Sequence, residues 1–556
     1  MQNLTSPPPG QAAGKLIEVL DAAIVGAGFA GLYMLHRLRG LGMTARIFEA
    51  AAGVGGTWWW NRYPGARCDV ESMQYSFSFD EKLQQEWHWS ERFAAQPEIL
   101  RYAEHVADRF GLRRDIRFNT RVTAAHFDEA VGRWTILTDR GDRVSARYCI
   151  MATGCLSSAR VPDIPGIESF RGRTYHTGRW PHEEVDFTGQ RVAVIGTGSS
   201  AIQAVPVIAE QAAQLFVFQR TPNFSIPSRN KPMDEEYERW WKSDYAAHRR
   251  KARMMRTGIL YHIDERSALD VSPEERRRVY EERWAAGGTA FMGAFVDLLR
   301  NQAANDTAAE FVRGKIAEIV KDPTTAALLQ PRDHPIGTKR ICVDTHYYET
   351  FNRENVRLVD VRSAPIEAIT RTGLRLRNGA EYAVDSIVFA TGFDAMTGAV
   401  LAVDIRGRSG ASLREKWAAG PRAHLGLMVA GFPNLFLITG PGSPSVLSNM
   451  MVSIEQHVDW LSDCLVHMRA RGATCIEPTQ EAEDAWVAHV AEVGNRTLYP
   501  KANSWYMGAN IPGKPRVFMP YVGGVGTYRE ECAAIAAQGY PGFRMSAPQD
   551  AAAAAQ

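Results

Sequence analysis

The run Ala22-Ala23-Ile24-Val25-Gly26-Ala27-Gly28-Phe29-Ala30-Gly31 sets an apolar strand against a G-x-G-x-x-G turn, and a helix-patterned stretch follows. Glycines at such a turn let a diphosphate reach the free backbone N–H groups of a helix N-terminus, where the dipole favours negative charge. At the end of the next predicted strand, Ala45-Arg46-Ile47-Phe48, stands Glu49, 23 positions after Gly26 and placed to accept hydrogen bonds from a ribose 2′-hydroxyl. The pattern returns after Val192-Ala193-Val194-Ile195 as Gly196-Thr197-Gly198-Ser199-Ser200-Ala201. There the same spacing leads to Gln219, with Arg220 and Thr221 beside it. A carboxylate would repel a 2′-phosphate, whereas a neutral amide next to a guanidinium attracts one. One chain therefore reads as holding FAD at the first fingerprint and NADPH at the second.

Outward from these turns, the expected fold class is α/β, with two Rossmann-like dinucleotide-binding domains and an inserted helical subdomain. The FAD domain is expected to be discontinuous, 19–155 and 391–545, with the NADP domain at 156–390 between them. Ala152-Thr153-Gly154 and Ala390-Thr391-Gly392 each follow a strand and mark the crossings. A charged stretch, about 229–333, interrupts the second fold and reads as helices; its basic run His248-Arg249-Arg250-Lys251-Ala252-Arg253 reads as a solvated helix face. The Pro-rich start, 1–18, and the Ala-rich tail, 546–556, are expected to be disordered.

With 64 Lys+Arg against 62 Asp+Glu, the formal charge is +2, which offers no case for nucleic acid or an anionic membrane. Seven scattered cysteines without a C-x-x-C argue against a disulfide framework, a metal site or a redox dithiol, and fit a reducing cytoplasm. The sequence lacks a signal-like core and a long apolar run, so no stable membrane association is expected. A monomer is the simplest assembly.

Phe170-Arg171-Gly172-Arg173-Thr174-Tyr175-His176-Thr177-Gly178-Arg179-Trp180-Pro181 matches every specified position of F-x-G-x-x-x-H-x-x-x-W-P. In this the chain resembles the type I Baeyer-Villiger monooxygenases, and the likeness runs through Gly56 to Asp69, Gly337-Thr338-Lys339-Arg340, Gly440 to Ser445 and Asn503 to Tyr506. It is closest to the phenylacetone and steroid monooxygenase branch. Trp59 stands where those relatives carry Tyr, and Val446 departs in a loop like their substrate-lining loop, Ser445-Val446-Leu447; both bear on substrate preference rather than on the reaction.

The resemblance implies oxygen insertion next to a ketone carbonyl, giving an ester or lactone by way of a C4a-peroxyflavin and a Criegee adduct. It implies that Arg340, which alone would read as a surface cation, is the essential arginine: a permanent cation with fixed donors favours a peroxide anion and the tetrahedral adduct. Asp69, otherwise a turn residue, is implied as its carboxylate partner. Beyond Gly26, Gly28, Gly31 and Glu49, the implied FAD contacts are Gly56, Thr57, Trp58, Asp69, Tyr75, Val122 and Met450. Those for NADP are Thr197, Gly198, Ser199, Ser200, Ala201 and Gln203 at the diphosphate and Arg220, Thr221 and Lys339 at the 2′-phosphate, with Arg67, Arg340 and the mobile-loop Trp505. In the fingerprint Phe170, Gly172, His176, Trp180 and Pro181 are implied to couple domain movement to catalysis, with His176 structural. The expected partners are a small-molecule ketone and O2. An N- or S-oxygenating flavin monooxygenase and a non-catalytic redox sensor stay as alternatives.

Overall fold

A computed structural model describes residues 18–547. The readings of the two chain ends otherwise lie outside the described residues, but Glu18 and Ser546 sit in strands: Glu18 opens Glu18–Val25 and pairs with Arg46 and Arg117, and Ser546 closes Phe543–Ser546.

The first sheet runs, edge to edge, Asp404–Arg406, Val122–Asp128, Arg133–Thr138, Arg143–Met151, Glu18–Val25, Ala45–Phe48 and Ile116–Arg117. Its centre is parallel and its Val122–Met151 part an antiparallel meander. The register Val25↔Phe48 brings Gly26 and Glu49 level at the carboxyl edge, where ligands of doubly wound sheets bind. Leu435–Leu437 returns from the far end of the chain to pair with Cys149–Met151, and the helix Met450–Ala470 packs on Phe29–Gly40, with the Tyr33 hydroxyl donating to Asp459 at 2.6 Å.

The second sheet is parallel throughout: Val356–Asp360, Gln214–Gln219, Arg191–Ile195, Ser386–Phe389 and Arg173–His176. Its edge strand is the middle of the F-x-G-x-x-x-H motif itself. The two sheets repeat one detail at their fingerprints. Gly26 has φ +105° and a Cβ there would stand 2.7 Å from the carbonyl oxygen of Ala152; Gly196 has φ +117° and would meet that of Ala390 at 2.4 Å. Each Ala-Thr-Gly thus closes against the first glycine of its own turn, which only glycine can occupy.

Between the paired strands Ser225–Pro227 and Cys342–Asp344 lie the helices Glu235–Ser243, Tyr245–Met254, Pro273–Ala286, Gln302–Ile319 and Pro323–Leu329. Asp234, Ser272, Asn301 and Asp322 cap four of them, accepting backbone N–H groups that the first turn leaves unpaired. The expected solvated face of the basic run is corrected: only Arg250 and Lys251 are exposed. Arg249 is 5% exposed, donating to the Gln74 carbonyl at 2.9 Å and to Ser76 Oγ at 2.6 Å, while Arg253 pairs with buried Glu455. Positions 245, 249, 252 and 253 share one helix face, and that face docks on the first domain rather than on water.

Candidate active site

Arg340 stands two residues before the strand Cys342–Asp344, on the seam between the two sheets. Its Nε and Nη2 both donate to Asp69 Oδ2, at 3.2 and 3.1 Å, and its Nη1 donates to the Val446 carbonyl at 3.3 Å. About a third of the side chain, 35%, is exposed, whereas Asp69 is buried. Burial alone would make the guanidinium less basic, but the Asp69 carboxylate outweighs it and holds the cation charged. Burial pushes the Asp69 carboxyl up, and Arg340 draws it part of the way back.

Asp69 is fixed from its other side. Gln203, on the helix Ser199–Gln211, donates to Asp69 Oδ1 at 3.4 Å and to the Arg67 carbonyl at 3.1 Å, and accepts from the Tyr63 hydroxyl at 2.8 Å. A side chain at Gly65 would meet the Gln203 carbonyl at 2.3 Å, so the Tyr63–Asp69 loop lies flush on that helix. Gln203 spends its side chain on this joint rather than facing the open turn. Arg67 likewise donates to Glu91 and the Phe93 carbonyl, and Gln219 turns inward to the Leu328 carbonyl, leaving exposed Arg220.

The glycine turns suit dinucleotides. Gly28 faces Gly56, whose added Cβ would lie 2.9 Å from the Gly28 Cα, so the two backbones line one slot. Glu49 is 5% exposed, and burial raises its pKa, partly offset by N–H donors from Ala27 and Ala51; it is an anchored carboxylate at the end of that slot. Trp58 donates to the Tyr75 hydroxyl at 3.2 Å, and Tyr75 meets Phe29 edge-on. Thr57 is exposed, Val122 opens its strand opposite Thr138, and Met450 begins its helix against the core.

At the second turn, a Cβ on Gly198 would find nothing within 4 Å. Ala201 is fully buried, Thr197 donates to the Thr221 carbonyl, and Ser199 contacts Cys342. Ser200 bears on the Tyr63 hydroxyl. Half-buried Lys339 makes no ion pair among the described residues, and it is pushed down by burial and by the neighbouring Arg220 and Arg362. Lys339 and Arg220, neither of them in an ion pair among the described residues, suit a phosphate.

His176 accepts from Gly178 N–H at 2.9 Å on Nδ1, so Nε2 carries the proton and faces the Arg160 carbonyl at 3.0 Å. The imidazole shares that carbonyl with Thr391, which also donates to it. Phe170 covers Gly172, where a Cβ would fall 2.5 Å from the ring. Trp180 stacks on Tyr175, with its backbone N–H on the Trp60 carbonyl and Pro181 next to it; Trp59 covers Gly53 and leans on His182.

The loop expected to line a substrate pocket is partly redirected. Ser445, at φ +42°, buries its hydroxyl against Cys155 Sγ at 3.0 Å and the Thr439 carbonyl at 3.1 Å, which engages its side chain within the protein. Val446 contributes its carbonyl, and Leu447 is only partly buried. Two residues escaped the sequence reading as site members, Tyr506 beside Arg340 and the joint-forming Tyr63; both lay inside stretches quoted for the family likeness. Trp505 packs on Tyr506 with centroids 4.2 Å apart, and their segment is strapped to a crossing by Asn510 on the Phe393 carbonyl and Lys514 on Asp394.

Among known proteins, a family model described as pyridine nucleotide-disulphide oxidoreductase matches residues 23–257, the part holding both glycine turns. A Baeyer-Villiger monooxygenase of Pseudooceanicola batsensis is 44% identical over 94% of this chain and 95% of its own. The structure of oxidised steroid monooxygenase bound to NADP is 56% identical, with a TM-score of 0.91, covering 95% of this chain and 99% of that one. OTEMO in complex with FAD and NADP gives a TM-score of 0.91 at 42% identity, covering 95% and 99%.

Proposed function

The chain belongs to the Baeyer-Villiger monooxygenases, and from that premise we propose how its own residues carry the reaction out. It is an FAD- and NADPH-dependent enzyme that inserts one atom of O2 beside a ketone carbonyl to give an ester or lactone. When bound, FAD reduced by NADPH supplies the electrons that activate O2.

Arg340 is the residue that meets the negative charge developing on oxygen. It is a permanent cation, and it stabilises that charge without giving up a proton. The carrying observation is its anchoring: two donors converge on one Asp69 oxygen and a third on the Val446 carbonyl, which sets the guanidinium plane before any substrate arrives. Asp69 positions it, and Gln203 positions Asp69. Arg220, Thr221 and Lys339 hold the 2′-phosphate, with the 196–201 turn on the diphosphate; Glu49 holds the FAD ribose and the Gly28–Gly56 slot its diphosphate. FAD is assigned to 19–155 with 391–545, and NADP to 156–390.

Incubating the holoenzyme with NADPH and ketones of graded size, and matching ester formed to NADPH consumed, tests the reaction. Oxygenation of thioethers or amines with every ketone untouched overturns it. Arg340→Ala is expected to keep its flavin and lose ester formation; retention of near-normal ester yield removes Arg340 from the mechanism.

A further inference from the structure

Next to the cations assigned to the 2′-phosphate stands an acid that ought to spoil them. Asp333 lies in electrostatic range of Lys339, and a carboxylate at that place would both repel a phosphate dianion and draw the ammonium toward itself. It does act on Lys339, but the two form no ion pair, and both of its oxygens are already engaged. Arg362 Nη2 sits 2.7 Å from Oδ2, and His334 Nδ1 sits 2.7 Å from Oδ1. The His334 side chain is only 1% exposed, so its proton is held on Nδ1 by the acid it faces. Arg362 reaches in from just beyond Val356–Asp360, the outermost strand of the second sheet, and more than half of it, 56%, is exposed. Lys339 is thereby left without an ion pair among the described residues, alongside Arg220.

We propose that Arg362 is a specificity-determining positioning residue for NADPH: by capping Asp333 it keeps Lys339 free for the 2′-phosphate, without itself having to touch the cofactor. This rests on the assignment of Arg220 and Lys339 to that phosphate. Arg362 differs from a general surface cation in that its effect runs through one carboxylate and disappears when that carboxylate is neutral.

The test is equilibrium binding of NADP+, NAD+ and 2′,5′-ADP to the oxidised holoenzyme by titration calorimetry, at low and high salt. Arg362→Ala is expected to weaken NADP+ and 2′,5′-ADP about tenfold at low salt and less at high salt, and to leave NAD+ within about twofold. Asp333→Asn is expected to bind NADP+ at least as tightly as the parent, and Arg362→Ala added to Asp333→Asn to change little. Melting temperatures should stay level, since an exposed ion pair contributes little to stability. An Arg362→Ala protein that binds NADP+ like the parent, or one that loses affinity equally with and without Asp333, overturns the proposal. If Lys339→Ala and Arg220→Ala also leave the preference for NADP+ over NAD+ intact, the phosphate assignment itself has failed instead.

Discussion

Arg340 and Asp69 are 271 positions apart, and their side chains meet through two directed contacts, while a third from Arg340 ends on the Val446 backbone carbonyl. An ammonium cannot reproduce a planar fork that grips a carboxylate and a carbonyl at once. Arg340→Lys is therefore expected to retain charge and flavin yet lose roughly 100-fold or more in ester formation, measured as product per turnover of NADPH. Asp69→Asn should lose less, because the cation remains and only its orientation relaxes. Nothing in composition or periodicity joins these two residues; only the blocks shared with the family did. The glycine turns, Glu49 and the cation Arg220 stand out in the sequence because the patterns that mark them are local. The bonds of Gln219 and Ser445 were not legible there, because the Leu328 carbonyl and Cys155, which claim their side chains, arrive from distant parts of the chain.

At the scale of the strand-turn-helix units, two glycines of similar appearance carry different constraints. A Cβ on Gly31 would stand 1.9 Å from the Gly26 carbonyl oxygen, inside the turn itself, so Gly31→Ala must open it. The expected outcome is protein purified with much less flavin, read from its visible absorbance. Gly198, at φ −86°, has empty space where a Cβ would go. Gly198→Ala should fold and melt as the parent does and keep its FAD, while the KM for NADPH rises several-fold; an unchanged KM would mean that no phosphate approaches there. The strands were legible to within a few residues, as in Ala45–Phe48 and Arg191–Ile195. The docking of the Tyr245–Met254 helix was not, because a basic run reads the same whether its face meets water or, as here, buried Glu455 and the Gln74 carbonyl.

Across the whole molecule, buried histidines link stability to acid. His457 accepts from Thr439 N–H on Nδ1 at 2.8 Å, and its Nε2 meets the Tyr528 hydroxyl at 3.1 Å, so the ring is neutral. Burial first, and then Arg529, push its pKa down to about 3, and burial pushes that of His424 down to about 4. Both folded values lie below the ordinary 6.5, so the stabilisation is fully present above pH 6.5 and is lost as pH falls toward 4 and 3, at about 1.4 kcal/mol per unit for each ring. The melting temperature should decline from about pH 6.5 downward; a level profile to about pH 4.5 would contradict this. The helix Tyr245–Met254 has a mechanical consequence of its own. By chain order it hangs from the NADP unit, yet Arg249 and Arg253 moor it to the FAD unit. The helix is thereby a tether between the two, and the stretch 255–272, without helix or strand, is its only link onward to Pro273–Ala286.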